Sequence, residues 1–156
     1  MKHLVLMCGI PGAGKSSYLE DNMWLSFGER KVSRDQIRFL MIKKEEEEYF
    51  SREKEVFKEY VAEIQRALDD PNVFRVYADA TQLTEKSRNR VLDKLELDDV
   101  GVSVFWKNTP LEICLERNAQ RQSWERVPEE QIRKMYERMQ DPHNDKKYKY
   151  EEVKVI

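Results

Sequence analysis

The sequence predicts a three-layer α/β fold, with a mostly parallel central sheet and helices on both faces. Three observations carry this. Short apolar runs of strand length alternate along the chain with longer segments whose apolar residues recur at helical spacing. The first run, residues 3–8, is apolar without alternation and stops at Gly9, as suits a strand buried on both faces. Recognisable start and stop signals separate the helical segments from the strands. No internal repeat and no linker-like stretch interrupts the pattern, so residues 1–156 are expected to form one domain.

A glycine-rich turn follows the first strand, and a helix begins near Lys15 and extends to about Trp24. Residues 31–33 read as a short second strand. Ser33 and Gln36 then have the form of a capping box, Ser33 at the N-cap and Gln36 at the third helical position. Ile37, Leu40 and Met41 supply the apolar face of the helix behind it. Residues 43–48 are charged throughout and read as a solvated helix end or loop. A longer helix covers about 52–68, with Val56, Phe57, Tyr60, Val61, Ile64 and Leu68 on one side, and the run Asp69, Asp70, Pro71, Asn72 stops it. Residues 73–78 form the next strand, which ends at Asp79. Thr84 caps a helix carrying Val91, Leu92 and Leu95, and 102–106 is a further strand. Thr109 as N-cap, Pro110 at the first helical position and Glu112 at the third mark a helix with Leu111, Cys114 and Leu115 on its apolar side. Pro128 opens the last helix, whose Ile132, Met135, Tyr136 and Met139 share a side, and Asp141-Pro142 ends it. Residues 152–156 form an edge strand.

The hydrophobic fraction is 40% and the charged fraction 37%, enough apolar material for a real core. Net charge is −2. That balance argues against a surface that tracks long stretches of nucleic acid, which needs a basic excess; any polynucleotide contact is expected to be local and short. Cys8 and Cys114 lie in apolar segments and read as two buried thiols in a reducing compartment rather than a disulfide or zinc framework. The apolar run behind Met1 is too short for a signal peptide, and no run approaches membrane-span length. A soluble cytoplasmic protein is the expectation.

Residues 9–16, GIPGAGKS, match the GxxxxGKS pattern between an apolar strand and a helix. The chemistry requires those residue types. Gly9, Gly12 and Gly14, with Ala13 between, let the backbone turn tightly and aim its N–H groups at phosphate oxygens. The helix that starts near Lys15 presents unpaired N–H groups and a partial positive charge to the same anion, with Ser16 and Ser17 in its first turn. Lys15 can reach the β- and γ-phosphates, and the Ser16 hydroxyl can ligate magnesium. The loop therefore implies a nucleoside triphosphate, ATP with Mg²⁺.

Three further groups are candidates. Asp35 and Arg38 sit three apart near a helix start and share a face; the carboxylate suits a base on an attacking hydroxyl, the guanidinium a phosphate on the acceptor. A dipole-favoured first-turn aspartate and a surface arginine would fit the same spacing. Asp79 closes a parallel strand, where a carboxylate faces the ligand crevice and can support magnesium; an ordinary turn aspartate is the alternative. Arg117, Arg121 and Arg126 lie in a stretch, about 117–128, that suits a helical lid closing over the triphosphate, although some of them can equally be solvated. Trp124 in that stretch suits base stacking and packing equally.

These residues resemble the kinase domain of phage-type polynucleotide 5′-hydroxyl kinases, in the wider group of small P-loop kinases. The likeness covers nearly the whole chain: GIPGAGKSSYL near the start, SRDQIR at 33–38, YADATQLTEKSR at 77–88 and ERNAQRQSWERVPEEQIRKMYERM at 116–139. The resemblance implies Lys15 and Ser16 on the nucleotide phosphates and magnesium, and Asp35 as general base on the 5′-hydroxyl. It implies Arg38 on the acceptor's 3′-phosphate, Asp79 in the metal region and Arg121 on the transferring phosphoryl group. Arg117 is placed with the nucleotide. Two features depart from the pattern: Gln82 stands where the family often has asparagine, which leaves the role of Thr81 open, and the lid carries an extra Glu125 and Arg126. The chain has no DxDGT-type segment for a phosphatase, so kinase activity alone is implied.

The resulting expectation is an ATP-dependent kinase of short or single-stranded 5′-hydroxyl nucleic-acid ends. A kinase of a small metabolite, nucleoside or antibiotic on the same scaffold is the alternative, and a slowly hydrolysing nucleotide-dependent regulatory module is a third reading.

Overall fold

The computed structural model describes residues 1–24, 27–42 and 50–156; the charged stretch 43–48 lies outside the described residues. Five strands form one sheet: β1 (Lys2–Cys8), β2 (Glu29–Ser33), β3 (Arg75–Asp79), β4 (Val100–Trp106) and β5 (Glu152–Val155). Their order is β2-β3-β1-β4-β5, and every pairing is parallel. Among the described residues six α-helices connect or flank them: α1 (Lys15–Asn22), α2 (Arg34–Met41), α3 (Glu53–Asp69), α4 (Glu85–Leu92), α5 (Leu111–Ala119) and α6 (Glu129–Arg138).

β1 is central and buried on both faces, as its unbroken apolar run requires. Successive side chains point to opposite faces. Leu4, Leu6 and Cys8 join one core with Val56, Tyr60, Ile64, Val76, Val91, Leu92 and Val104, while Val5 and Met7 meet Leu19 of α1 and Tyr77. Each fully buried aliphatic side chain contributes about 1.5–3 kcal/mol, so the two-sided burial anchors the strand that launches the phosphate loop. The connection after β1 runs past β3 to β2, whereas the connection after β3 runs the other way, past β1 to β4. The crevice outside the carboxyl ends of β1 and β3 is therefore a topological switch point, where α/β sheets bind ligands.

The start signals hold in two cases. The Ser33 hydroxyl accepts from the Gln36 amide at 3.3 Å, the N-cap half of the expected box, and Thr84 forms a reciprocal capping box with Ser87. Two expectations change. Leu40 is 88% exposed, and Arg38 takes the buried place beside Ile37, because α2 packs its 37/38 side on α3, where a carboxylate receives the guanidinium. Thr109 does not cap α5: the helix begins at Leu111 with no side-chain cap, and the Thr109 hydroxyl donates instead to the Ala13 carbonyl at 2.7 Å. Within the expected lid, 117–128, α5 ends at Ala119 and a single 3-10 turn, Ser123–Glu125, precedes α6. Tyr136 lies half-exposed, while Ile132 is buried and Met135 and Met139 pack beside it.

Candidate active site

The loop between β1 and α1 is shaped by residues that do not themselves face the ligand space. The Gly9 amide donates to the Thr81 carbonyl at 3.0 Å, and the Ala13 amide to the Ile10 carbonyl at 3.1 Å. Gly12 and Gly14 have φ of 82° and 102°, in the left-handed region that favours glycine. A side chain on Gly12 would also start 2.5 Å from the Cys114 carbonyl oxygen of α5, a backbone atom that cannot swing away. Lys15 is buried, and its ammonium donates to the Gly9 and Ile10 carbonyls at 2.8 and 3.2 Å. Cys8 and Cys114 are buried free thiols beneath this loop; burial pushes the Cys8 thiol up to about 11 and raises that of Cys114.

Ser16 and Asp79 meet directly. The register of β1 and β3 sets Met7 beside Asp79, and the Ser16 hydroxyl donates to Asp79 Oδ2 at 2.8 Å. A hydroxyl and a carboxylate at the mouth of a phosphate loop form the oxygen donor set that suits magnesium, which takes one or two protein ligands and fills its remaining positions with water and phosphate oxygens. Thr81 also lines the ligand space, whereas Gln82 turns away from it at φ 45°. Gln82 is buried, accepts from the Tyr60 hydroxyl at 2.9 Å and donates to the Met7 and Ala78 carbonyls. The departure at this position is thus a structural pin between β1, β3 and α3.

Asp35 and Arg38 share the predicted face and form an ion pair. The Asp35 side chain is 45% exposed, and the Arg38 side chain only 6%. Glu53, at the start of α3, engages Arg38 through both carboxylate oxygens and also pairs with Arg34 at 3.0 Å. The Arg38 guanidinium lies 5.5 Å from the centre of the Phe50 ring.

On the opposite wall, Arg117 donates to the Gly12 and Ala13 carbonyls at 3.3 and 3.2 Å, bracing α5 against the loop. Arg121 lines the ligand space. Arg126 does not; its Nε donates to the Arg121 carbonyl at 2.8 Å. The Asn118 side chain pairs with the Val127 backbone in both directions, at 2.8 and 3.0 Å, and so holds the 3-10 segment down.

One cleft of about 700 Å³ joins these parts. Gly12, Gly14, Lys15, Ser16 and Ser17 line one region of it, Asp35 and Arg38 another, with Asp79, Arg117 and Arg121 between and above. Gly9 and Ala13 stand behind the lining. The cleft also contains Arg34, Glu53 and Lys107, which the sequence reading did not single out. Arg34 adjoins the Asp35 motif and was open to notice. Glu53 and Lys107 carry no local signal, because packing of distant segments brings them in. Among the described residues no helix is long and apolar enough to cross a membrane.

Comparison with known proteins agrees with this geometry. The chain is 24% identical over 144 residues to the L-seryl-tRNA(Sec) kinase of Methanococcus maripaludis, covering 89% of this chain and 53% of that protein. It superposes on a chain of the Pnkp1/Rnl/Hen1 RNA repair complex with TM-score 0.70 and 19% identity, over 96% of this chain and 47% of the other. A sugar kinase from Janibacter sp. HTCC2649 gives TM-score 0.61 and 16% identity, over 100% and 84% of the two chains. The chain thus spans about half the length of the first two. The family model described as AAA domain matches residues 4–142. With its phosphate loop at the switch point of an all-parallel five-stranded sheet, this chain belongs to that AAA domain family and has the fold of the small P-loop kinases.

Proposed function

We propose that this chain is an ATP-dependent polynucleotide 5′-hydroxyl kinase, with residues 1–156 acting as one kinase domain. The observation that carries the reading is the single cleft in which a GxxxxGKS loop faces an Asp35–Arg38 pair. In this mechanism the loop amides and Lys15 hold the β- and γ-phosphates, Lys15 exchanging its bonds to the Gly9 and Ile10 carbonyls for phosphate oxygens. Ser16 and Asp79 would hold Mg²⁺, which when bound supplies positive charge to the phosphoryl oxygens. Asp35 receives the proton of the 5′-hydroxyl as that oxygen bonds to the γ-phosphorus and the bond to ADP breaks. Arg121 stabilises the charge on the passing phosphoryl group, and Arg117 supports the nucleotide side. Arg38 offers its guanidinium fork to the acceptor's 3′-phosphate. Alignment and electrostatics carry the rate, since phosphoryl transfer leaves the protein little covalent work.

Relatives named for a tRNA-linked substrate and for RNA repair support a nucleic-acid acceptor. A small hydroxylated metabolite is the second reading, favoured by the net charge of −2 and by the likeness to a sugar kinase. The test is transfer of labelled γ-phosphate from Mg·ATP to a short 5′-hydroxyl oligonucleotide, with nucleosides and sugars alongside. Label on the oligonucleotide, weakened by salt and lost in Asp35→Asn while ADP still binds, is the expected result. Label on a small molecule would transfer the assignment to the second reading. Label only in free phosphate would leave a nucleotide-hydrolysing module without an acceptor.

A further inference from the structure

Lys107 is the first residue beyond β4. Its amide donates to the Cys8 carbonyl at 2.8 Å, which continues the β1–β4 ladder by one step and lays its backbone beside Gly9. A side chain on Gly9 would start 2.8 Å from the Lys107 carbonyl oxygen, so only glycine admits this approach. From there the Lys107 side chain crosses the loop. A side chain on Gly14 would start 3.4 Å from Lys107 Cε and 3.2 Å from Arg117 Nη1. Two cations therefore flank the same loop residue, but they are differently employed. Arg117 already donates to the Gly12 and Ala13 carbonyls. Lys107 is a partly buried residue that lines the cleft, and its ammonium has no hydrogen bond or ion pair among the described residues.

A cleft-lining cation with no carboxylate beside it has its charge available to a ligand. Beside the amide of Gly14, which the loop turns toward phosphate, the missing partner is an anion. In the mechanism proposed above, Lys15 and Arg121 act at the end of the phosphate chain nearest Asp35. We propose that Lys107 binds the α- and β-phosphates of the nucleotide, as a second lysine of the phosphate site contributed by β4 rather than by the loop. This rests on the reading of residues 9–16 as a nucleotide site but is independent of the acceptor. ATP and ADP share both phosphates, so Lys107 strengthens both and does not favour the transferring group.

The test is calorimetric titration of the whole chain with Mg·ADP and with a non-hydrolysable Mg·ATP analogue, for wild type, Lys107→Met and Lys107→Arg. Loss of one charge-assisted contact predicts affinities about tenfold or more weaker in Lys107→Met for both nucleotides. Lys107→Arg should recover most of that. The nucleotide-free melting temperature should not move, which separates nucleotide binding from a structural role. Unchanged ADP affinity in Lys107→Met would overturn the proposal, as would a loss confined to the triphosphate analogue, which would put the lysine on the γ-phosphate. Wild type that binds no nucleotide would overturn it together with the loop assignment. Wild type that binds nucleotide but leaves oligonucleotides unlabelled removes only the acceptor reading.

Discussion

Replacing Asp145 by alanine should be among the most destabilising single changes outside the apolar core. The Arg88 side chain is completely buried, and that of Asp145 is 2% exposed. Two parallel bonds of 2.7 Å, from Arg88 Nε and Nη2 to the two carboxylate oxygens, join them. Among the described residues the guanidinium is otherwise held only by backbone carbonyls, Gln82 at 2.8 Å and Gln140 at 3.3 Å, and by a 3.6 Å approach to the Cys8 sulfur. The Tyr150 hydroxyl donates to Asp145 at 2.6 Å, so the carboxylate also ties down the segment before β5. Asp145→Ala would leave a full charge buried against dipoles alone. Removing one partner of such a pair costs about 3–5 kcal/mol, a large share of a typical domain's stability. For a chain of this length that lowers the melting temperature by on the order of 10 °C. Urea denaturation should show a lower midpoint with an unchanged slope. The double variant Arg88→Met/Asp145→Leu should recover most of the loss, because the desolvation of both charges disappears with them. A loss under about 1 kcal/mol in Asp145→Ala, or a double variant no better than the single, would refute the argument that an unpaired buried charge is what destabilises.

Arg121→Ala should lower turnover on the order of 10³-fold or more while leaving Mg·ADP affinity within a few-fold; equal losses in both would remove its transition-state role. The buried Cys8 thiol gives stability a pH dependence on the alkaline side. Burial raises it from its ordinary 9.0 to about 11, so the folded chain keeps the proton after the unfolded chain has released it. Its contribution is complete below pH 9 and is lost between pH 9 and about 11, amounting to about 3 kcal/mol. Tyr60, raised for the same reason, acts in the same direction, so the measured quantity is the difference between wild type and Cys8→Ala across pH 8–11. Parallel curves would show that Cys8 titrates normally.

Local signals are legible in the sequence. The apolar run of β1, the glycine loop and the Ser33 cap each depend on neighbours within four residues, and the structure keeps all three. What escaped the sequence depends on contacts between distant segments. Leu40 fits the apolar period of α2, yet Glu53 of α3 draws the side bearing Arg38 inward. Thr109 has the form of an N-cap, but the loop carbonyl of Ala13 offers a competing acceptor. Gln82 could be noticed as a departure; that it pins Met7, Ala78 and Tyr60 follows only from the packing of β1, β3 and α3. Lys107 looks like any residue after a strand until the parallel register of β1 and β4 sets it against the loop.

The near-neutral chain is no obstacle to an anionic acceptor, because charge is unevenly placed. Lys15, Arg34, Arg38, Lys107, Arg117 and Arg121 line the cleft against Asp21, Asp35, Glu53 and Asp79. Among the described residues the cleft lining is thus positive by two, within a chain of net charge −2. Low-dielectric walls strengthen that local excess, while the acidic remainder repels polyanions from the rest of the surface. Three of the carboxylates already have partners: Asp79 receives Ser16, Glu53 engages both Arg34 and Arg38, and Asp35 pairs with Arg38. An acceptor phosphate must therefore share Arg38 with Glu53 and Asp35 rather than meet a bare cation. On the proposed polynucleotide reading, that competition would weaken the grip on any single phosphate and make the position of the acceptor hydroxyl beside Asp35 the criterion for a productive complex. A short strand end, offering one phosphate and one hydroxyl at fixed spacing, satisfies both conditions at once, whereas a neutral sugar satisfies only the second.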